Sequence, residues 1–399
     1  MVNVTLFLPS RIYGGAERQF ALLAEFLHYK SDVNLIVIDS QAGIVAGIVD
    51  HLSGITVLTF VPNQKITVTN SILVTPASYM FTVGNMLDLK DCDVRYWFLA
   101  PLNLPNMFIA SKFKGLIGLT IQNVFKFLYL KKIQRLEGQL YFMHKDPQKM
   151  VEDFYGVSFN SPIMSALVDL GKPKNLPSLH EFKEGHFAWL GRLDKSSKFF
   201  AVRRLMSDLK MCNNCIFHII GDGNGMTLLM NIAKEYDVMD RVIFHGHIEY
   251  ERLHEVLGFC QVVFTHGTSI YEGVRCNIPT VVFDFFLEDE GIDVYRYQFY
   301  NERIATELGT IVKNPYLKVF TVGNTLREVM TITADDRKRE LIVTESLTKA
   351  KKIINNDLRN FDTFFKSESL VKDMPVYSSY IDIFFWKFRN LVKSKFFNP

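Results

Sequence analysis

The sequence predicts an α/β protein with two domains, each built around a parallel β-sheet that helices cover on both faces. Short runs rich in β-branched and aromatic residues alternate with segments in which apolar residues recur every three or four positions. The runs are apolar almost throughout, as strands buried on both faces must be. Alternating strands and helices form parallel sheets with right-handed crossovers, so two successive sets of runs predict two Rossmann-like domains.

Eleven runs are predicted to be strands, six in the first half of the chain and five in the second. They are Val2–Leu8, Asn34–Asp39, Thr56–Val61, Ile72–Thr75, Arg95–Leu99, Leu140–His144, His186–Leu190, Ile216–Gly221, Arg241–His245, Gln261–Thr265 and Thr280–Asp284. Helical periodicity is clearest in Glu17–Tyr29, Ala201–Lys210 and Met226–Glu235. The chain after about Asp335 is predicted to be helical.

Chain length and composition support two folded domains. The chain has 399 residues, more than the roughly 250–300 that one hydrophobic core usually serves. Apolar residues make up 48% and charged residues 22%, which argues against disorder. The formal net charge of +3 is too small to predict nucleic acid binding by the chain as a whole, so no nucleic acid partner is expected.

A linker is predicted near Lys172–His180, which contains two prolines and no helical or strand periodicity. We therefore expect an N-terminal domain over residues 1–175 and a C-terminal domain over residues 176–374. Residues 375–399 are expected to form a helix that crosses back to the N-terminal domain.

The sequence predicts a cytoplasmic protein that is at most peripheral on a membrane. Val2–Leu8 ends at Pro9 and lacks a basic flank and a cleavage site, so it is a strand and not a signal peptide. The longest apolar stretch, Gly115–Leu130, is interrupted by Lys126 and falls short of the ~18 residues of a spanning helix. The five cysteines are expected to be buried free thiols of a reducing compartment, since Cys212 and Cys215 form a lone CxxC without further zinc ligands.

A glycine pair, Gly14 and Gly15, lies between the first predicted strand and the first helix. Glycine lets a ligand approach the backbone closely, and the N-terminus of a helix attracts phosphate. A tight strand-to-helix turn without a ligand explains the pair equally well.

Two further turns follow strands of the second domain. Gly191 and Arg192 begin a loop that also contains Lys195 and Lys198, and its cations suit a diphosphate, although a solvated basic loop is the alternative. The second turn, Gly221–Gly225, lacks the GxGxxG spacing of dinucleotide-binding proteins, and a sharp strand-to-helix turn is sufficient to explain it.

The most informative segment follows the strand Gln261–Thr265. Gly267, Thr268 and Ser269 are small residues suited to the start of a helix, and Glu272 lies about one turn further on. Backbone N–H groups and hydroxyls in this arrangement suit a phosphate, and the carboxylate suits sugar hydroxyls. A capped helix with a surface glutamate is the alternative.

Together these motifs resemble those of GT-B glycosyltransferases, in particular glycosyltransferase family four, the glycosyl transferases group 1. The resemblance covers about Gly185–Asp284 and consists of GRL with a downstream lysine, then IIGDG, VIFHG and GTS…E…IPTVVFD; the N-terminal GGAER is also similar to the first glycine loop of that family. It implies two domains that face each other across a cleft, the N-terminal one on the acceptor side and the C-terminal one holding the nucleotide-sugar donor.

The resemblance also implies roles for individual residues. Arg192 and Lys198 hold the donor diphosphate, Glu272 holds the nucleotide ribose, and these three are the predicted catalytic residues. Gly267, Thr268 and Ser269 cap the phosphates, and Gly14 and Gly15 face the donor across the cleft. The full predicted donor-binding set is Gly14, Gly15, Gly191, Arg192, Lys198, Gly221, Gly223, His266, Gly267, Thr268, Ser269 and Glu272.

Two departures from the family pattern stand out. The family often has two glutamates separated by seven residues; Glu272 matches the second, but Phe264 occupies the first position and His266 is the neighbouring polar residue. Lys198 lies one residue later than the commonest spacing, which makes Lys195 an alternative. Donor binding is still expected, whereas the residue that contacts the transferred sugar is left open.

Metal and base candidates are weaker. Asp91–Cys92–Asp93 has the DxD pattern of another glycosyltransferase fold, but it precedes a strand where that motif should follow one. We expect no metal site and no cofactor, because the protein cations neutralise the diphosphate. His28, His51 and His144 are candidates for a base, and no spacing singles one of them out.

Two stretches combine basic and aromatic residues. Ser111–Arg135 contains six Lys or Arg and no acidic residue, and Ser378–Phe397 has cations beside an apolar stripe. Such a pattern suits a helix at a membrane interface or a lipid acceptor, and burial inside the fold is the alternative.

The sequence thus predicts transfer of a hexose-like sugar from a nucleotide diphosphate sugar to a glycan or lipid-linked acceptor. The resemblance implies synthesis of bacterial surface polysaccharide or lipopolysaccharide, by a retaining, metal-independent reaction. A non-catalytic partner subunit that binds a sugar nucleotide and a GT-B-fold sugar-nucleotide epimerase are the alternatives.

Overall fold

The computed structural model describes residues 1–11, 13–99, 104–110, 115–171, 181–195, 198–286, 291–303, 308–310, 312 and 315–366. They form two compact units. The first comprises Met1–Leu167 together with the described residues from Asn355 onward, and the second comprises Val168–Ile354. The predicted linker at 172–180 and the predicted helix at 375–399 lie outside the described residues.

The first unit is built on a six-stranded, fully parallel sheet with the strand order β3-β2-β1-β5-β7-β8. Two further strands of this unit, β4 and β6, form a separate parallel pair. The strands are Val2–Phe7 (β1), Val33–Ser40 (β2), Thr56–Phe60 (β3), Ile66–Thr69 (β4), Ile72–Pro76 (β5), Leu87–Lys90 (β6), Asp93–Phe98 (β7) and Leu140–Phe142 (β8). The helices are Gly15–His28 (α1), Ile44–Val49 (α2), Val83–Met86 (α3), Pro105–Ala110 (α4), Gly115–Arg135 (α5) and Lys145–Tyr155 (α6).

The second unit repeats this architecture with the order β11-β10-β9-β12-β13-β14, in which only β14 runs antiparallel to its neighbour. Its strands are Lys183–Leu190 (β9), Ile216–Ile220 (β10), Val242–Gly246 (β11), Cys260–Thr265 (β12), Thr280–Val282 (β13) and Gln298–Phe299 (β14). Its helices are Lys198–Leu209 (α7), Met226–Glu235 (α8), Leu253–Leu257 (α9), Ile270–Arg275 (α10), Lys318–Thr321 (α11), Leu326–Ala334 (α12) and Asp336–Lys366 (α13), the last of which continues into the first unit.

The α/β prediction and all eleven predicted strands are confirmed. The central strands are apolar because both of their faces are buried: Val4, Leu6 and Phe7 of β1 and Phe187 and Trp189 of β9 are inaccessible to solvent. The sequence analysis missed the short strands β4, β6 and β14. These have four, four and two residues, too few to show a periodicity.

The end of α13 packs in the first unit. Phe364 contacts Tyr141, with 4.5 Å between the ring centroids, and the guanidinium of Arg95 lies 4.6 Å from the centroid of the Phe364 ring. Residues 355–366, which the sequence analysis assigned to the C-terminal domain, therefore group with the first unit.

The expectation of free thiols is wrong for one pair of cysteines. Cys212 and Cys215 form a disulfide in the turn between α7 and β10, where the Cys215 N–H donates to the Cys212 carbonyl oxygen at 3.2 Å. The turn brings two residues three positions apart to a Cα–Cα distance of 5.5 Å. Burial raises the pKa of Cys260 and of Cys276 to about 12, as expected for unreactive thiols in a protein core.

Candidate functional site

The predicted donor residues of the second unit lie on loops at one edge of its sheet. In this strand order the chain reverses direction across the sheet between β9 and β12, and ligands of such folds bind where the carboxyl ends of those two strands meet. Leu190 pairs with Thr265, and the Thr265 hydroxyl donates to the Leu190 carbonyl oxygen at 2.8 Å. Gly191 follows β9 and His266 follows β12, so the two loops begin side by side.

The glycines of the turn after β10 pack against the loop after β9. A Cβ on Gly221 would overlap the carbonyl oxygen of Gly191, and one on Gly223 would overlap the backbone of Leu193. The Gly191 N–H donates to the Ile220 carbonyl oxygen at 3.0 Å. Gly221 and Gly223 thus position the basic loop, and this packing explains them without a ligand, so their direct contact with a donor stays a prediction.

The two predicted cations of the basic loop differ in environment. Arg192 is exposed, whereas Lys198 is partly buried at the start of α7, with its Nζ next to Gly191. Burial and then the positive charge of Arg192 lower the pKa of Lys198 to about 8, although Asp194 opposes this shift. Lys195 is exposed on the same loop. The position of Lys198 against the loop backbone favours it over Lys195 as the second cation.

The segment after β12 enters its helix through a 3-10 turn, Gly267–Ser269, before α10. Gly267 has a φ of +69°, and its N–H donates to the Leu308 carbonyl oxygen at 2.8 Å. Ser269, the residue at the N-cap of α10, makes no side-chain capping bond, so the expected hydroxyl cap is absent there. Within the 3-10 turn the Gly267 and Thr268 carbonyls accept the Ile270 N–H.

Thr268, Ser269 and Glu272 are partly exposed on this segment. The Glu272 carboxylate accepts a hydrogen bond from the Arg275 guanidinium, one turn further along α10. Sequence reasoning missed Arg275, although a glutamate and an arginine three residues apart on a helix are the signal of such a pair.

Phe264 and His266 explain how this chain departs from the two-glutamate pattern. Phe264 is fully buried in β12, with its ring centroid 5.0 Å from that of Tyr297, so it points into the core. His266 is the first residue beyond the strand, and its Nδ1 lies 2.7 Å from the Phe283 carbonyl oxygen. A carbonyl only accepts, so Nδ1 carries a proton in this contact.

The glycine pair of the first unit follows β1. Gly14 precedes α1 with a φ of −165°, extended backbone that any residue adopts, and its carbonyl accepts the Arg18 N–H at 3.1 Å. The conformation of Gly14 thus does not require glycine. The predicted contact of Gly14 and Gly15 with a donor stays a prediction.

The DxD pattern has a structural role in this fold. Asp91 has a φ of +51° in the turn before β7, and Asp93 accepts a hydrogen bond of 2.9 Å from Nε of the buried Arg95. Among the residues that the structure describes, no group of three or more His, Cys, Asp or Glu is arranged to hold a metal ion.

The three histidines of the first unit differ in their surroundings, and their role as a base stays a prediction. Nδ1 of His51 lies 2.9 Å from the Ile48 carbonyl oxygen, and the ring of His28 packs edge-on against Tyr29. Burial lowers the pKa of His144, while Asp146 raises it.

A row of three histidines crosses the second sheet, a feature that sequence reasoning missed. His218 of β10 lies between His186 of β9 and His245 of β11, with 2.9 Å between the ring nitrogens on each side. Burial lowers the pKa of all three, and that of His218, which also faces the other two rings, falls to about 4. Each histidine lies on a predicted strand, but only the strand order and register bring them together.

The basic-aromatic stretch of the first unit forms α5, whose residues 115–135 include four cations and no acidic residue. Phe125 and Tyr129 are buried in the core, so the expectation that they contact a membrane or acceptor is wrong; Phe113 lies outside the described residues. Phe127 is 85% exposed. Five more large apolar residues share its open face of the helix: Leu116, Ile117, Leu119, Val124 and Leu128.

Two of the four cations of α5 are also exposed, namely Lys131 and Arg135. Lys132 instead lies over the rings of Phe81 and Tyr129, and Lys126 is next to Gly156. No helix in the described part of the chain combines the length and the apolar character needed to cross a membrane.

Comparisons with known proteins agree with this architecture. Residues 177–293 match the family model described as glycosyl transferases group 1. No curated protein sequence matches the chain. Three solved structures illustrate the fold: HepE from Anabaena in complex with UDP and glucose, WaaG, a glycosyltransferase involved in lipopolysaccharide biosynthesis, and sucrose-phosphate synthase from Thermosynechococcus elongatus.

All three cover nearly the whole of both chains at low sequence identity. HepE has a TM-score of 0.60 at 12% identity, covering 92% of this chain and 100% of its own. WaaG has 0.56 at 11%, covering 91% and 99%, and sucrose-phosphate synthase has 0.56 at 12%, covering 92% and 98%. The resemblance inferred from the motifs is thereby confirmed: residues 177–293 match the glycosyl transferases group 1, and the chain has the two-domain α/β fold of GT-B glycosyltransferases.

Proposed function

We propose that this protein is a glycosyltransferase of family four that moves a hexose-like sugar from a nucleoside diphosphate sugar to a glycan or lipid-linked acceptor. One observation carries the proposal. The register of β9 and β12 brings the loop of Arg192 and Lys198 next to the segment that ends in Glu272, at the point where such sheets bind ligands. The match of residues 177–293 to the glycosyl transferases group 1 contains both loops.

Each of these side chains suits one part of a sugar nucleotide. The Arg192 guanidinium forms a fork that matches phosphate oxygens, and Lys198 adds a second positive charge. Glu272 accepts hydrogen bonds from ribose hydroxyls. As the sugar leaves, negative charge grows on the diphosphate, and the two cations stabilise it in the place where many enzymes use a metal.

The reaction is proposed to be retaining and independent of metal. His266 is the polar residue at the end of β12, two positions after Phe264, and its imidazole is proposed to contact the transferred sugar. No residue of the first unit is assigned as a base.

The first test is to screen nucleotides and sugar nucleotides by thermal shift, because a specific ligand stabilises the folded state. We expect stabilisation by UDP or GDP and by one of their sugars, and then transfer to an acceptor that persists in excess chelator. Loss of transfer on chelation, restored by manganese, would contradict metal independence. Donor binding without transfer to any glycan or lipid-linked acceptor would favour a non-catalytic partner subunit.

The open face of α5 supports a membrane-bound acceptor. Six large apolar side chains face solvent beside Lys131 and Arg135, a composition suited to the surface of an anionic bilayer. Each cation near such a surface contributes about 1 kcal/mol, screened within a Debye length. We propose that the protein associates peripherally with the inner face of the membrane and acts in surface polysaccharide or lipopolysaccharide synthesis, as WaaG does in the latter.

Vesicle sedimentation tests this surface. The protein should pellet with anionic vesicles at low salt and be released at high salt. Phe127→Glu combined with Lys131→Glu should abolish pelleting and leave nucleotide affinity unchanged. A matched control is Tyr316→Glu combined with Lys318→Glu, which changes an exposed aromatic residue and a lysine of the second unit. Wild-type protein that ignores anionic vesicles at low salt would remove the membrane proposal and leave donor binding intact.

A further inference from the structure

The glutamate that this chain retains from the family pattern is paired with Arg275, which in turn packs against Tyr250. Glu272 accepts from Nε of Arg275, and their side chains are 19% and 6% exposed. The Arg275 guanidinium lies over the ring of Tyr250, 4.1 Å from its centroid, with Nη2 3.4 Å from the Tyr250 carbonyl oxygen. Tyr250 belongs to the 3-10 turn that follows β11, so the contact ties α10 to a separate part of the unit.

The Arg275 guanidinium stays charged around neutral pH. Burial alone would lower the pKa of Arg275, but the negative charge of Glu272 raises it above its ordinary value. A guanidinium with a bound carboxylate and an aromatic face beneath it has little freedom to rotate. Arg275 therefore imposes one orientation on a glutamate side chain that otherwise has three rotatable bonds and loses entropy when a ligand orders it.

We propose that Arg275 is a positioning residue, which holds the Glu272 carboxylate in the orientation that accepts hydrogen bonds from the ribose of the donor nucleotide. This rests on the proposed function of the site. A carboxylate has about four acceptor positions, so pairing with Arg275 is compatible with binding two ribose hydroxyls. Because Phe264 replaces the other family glutamate and points into the core, the orientation of Glu272 matters more in this chain.

The test measures ribose recognition separately from phosphate binding. Calorimetry is carried out with UDP, 2′-deoxy-UDP and inorganic pyrophosphate, and with the GDP pair, on full-length protein. Wild type should prefer UDP or GDP over its 2′-deoxy analogue by about tenfold, the effect of one hydrogen bond to a charged group. Arg275→Met should reduce that preference to less than about twofold and leave pyrophosphate affinity unchanged.

Two comparisons separate positioning from a purely structural role. Arg252 and Glu255 form another Arg–Glu pair with a spacing of three residues in the same unit, exposed to solvent, so Arg252→Met is the matched control and should keep the tenfold preference. Glu272→Gln should lose the preference, and the double variant Glu272→Gln/Arg275→Met should lose nothing further, because both changes act through one carboxylate.

Several results would overturn the proposal. Arg275→Met with full ribose preference would reduce Arg275 to a structural residue, and tighter UDP binding would show that Arg275 competes with ribose for Glu272. If Arg275→Met fails to fold, Arg275→Lys keeps the charge without the planar fork, and an unchanged preference in that variant contradicts positioning. If Glu272→Gln loses the ribose preference and Arg275→Met keeps it, the positioning role is contradicted and the proposed function stands. If the wild-type protein binds no nucleotide, both the positioning role and the proposed function are contradicted.

Discussion

The two units share one strand order and differ in what they place at the equivalent edge. After β9, the second unit presents Arg192 and Lys198, with Glu272 on the neighbouring segment. After β1, the first unit presents Arg11, whose Nε donates to the Gln41 carbonyl oxygen at 3.1 Å, and an extended glycine turn. The same topology therefore carries different side chains in the two units, and the second unit has the larger number of cations at this edge.

The largest effect should come from the packing of two loops in the second unit. A Cβ on Gly221, which has a φ of +140°, would overlap the Gly191 carbonyl, a backbone atom that cannot move alone. Overpacking and backbone strain each cost about 1–3 kcal/mol, so Gly221→Ala should destabilise the unit by about 4 kcal/mol in urea unfolding and disrupt nucleotide binding.

Gly246 provides the control for this change. It also has a positive φ, +68°, but nothing lies within 4 Å of a Cβ built on it. Gly246→Ala should cost about 1 kcal/mol and leave binding intact. Equal effects of the two changes would show that the loops do not need this packing.

The second-largest effect should come from acid, which should destabilise the second unit more than the first. The pKa of His218 is about 4 in the folded protein and near 6.5 when unfolded, so below pH 6.5 the unfolded state binds the extra proton. The stability that comes from the neutral histidine row is complete above pH 6.5 and falls by about 3 kcal/mol as the pH approaches 4.

Hydrogen exchange at pH 7 and pH 4.5 measures this for each unit. The second unit should lose more protection than the first, in which His144 is the histidine with a lowered pKa among the described residues. His218→Phe, which keeps a ring in the row without the titrating group, should flatten the pH dependence. Equal loss in both units would mean that the histidine row does not control acid stability.

Anion binding should distinguish the two basic edges. Arg192→Ala should weaken UDP or GDP binding by roughly 1.5–3 kcal/mol, the contribution of a charge-assisted hydrogen bond. Arg11→Ala, at the corresponding place in the first unit, should change it by less than about 0.5 kcal/mol. Calorimetry with the order reversed would move the donor site to the first unit.

The smallest effect concerns the protonation of Lys198. Its pKa of about 8 predicts that the contribution of Lys198 to nucleotide affinity is complete below pH 7 and declines above pH 8, by up to about tenfold per pH unit, as the ammonium loses its proton. A bound diphosphate raises this pKa, so proton uptake should accompany binding near pH 8. Lys198→Met should abolish both the decline and the proton uptake, and an unchanged pH profile would exclude Lys198 from the site.

The sequence by itself determined eleven of the fourteen strands that the structure describes, their grouping into two sets and the loops that carry the candidate site. A strand such as Val2–Phe7 can be predicted because both of its faces are buried in the fold and most of its residues are therefore apolar. Arg192 and Glu272 could be predicted because each follows such a strand at a spacing that the family shares, whereas Lys198 lies one residue later than the commonest spacing.

Only the tertiary structure decided which residues pack against each other and which point into the core. Gly221 packs against Gly191, and Phe264 points into the core, because register sets which residues of neighbouring strands meet. Register also brings the three histidines of the row together. Phe125 and Phe127 differ by two positions on α5 and so lie on opposite faces of the helix, where Phe125 is buried and Phe127 is exposed. The contacts between strands join residues that are distant in the chain, and the burial of a helix face depends on which other elements pack against it. Local periodicity in the sequence contains neither kind of information.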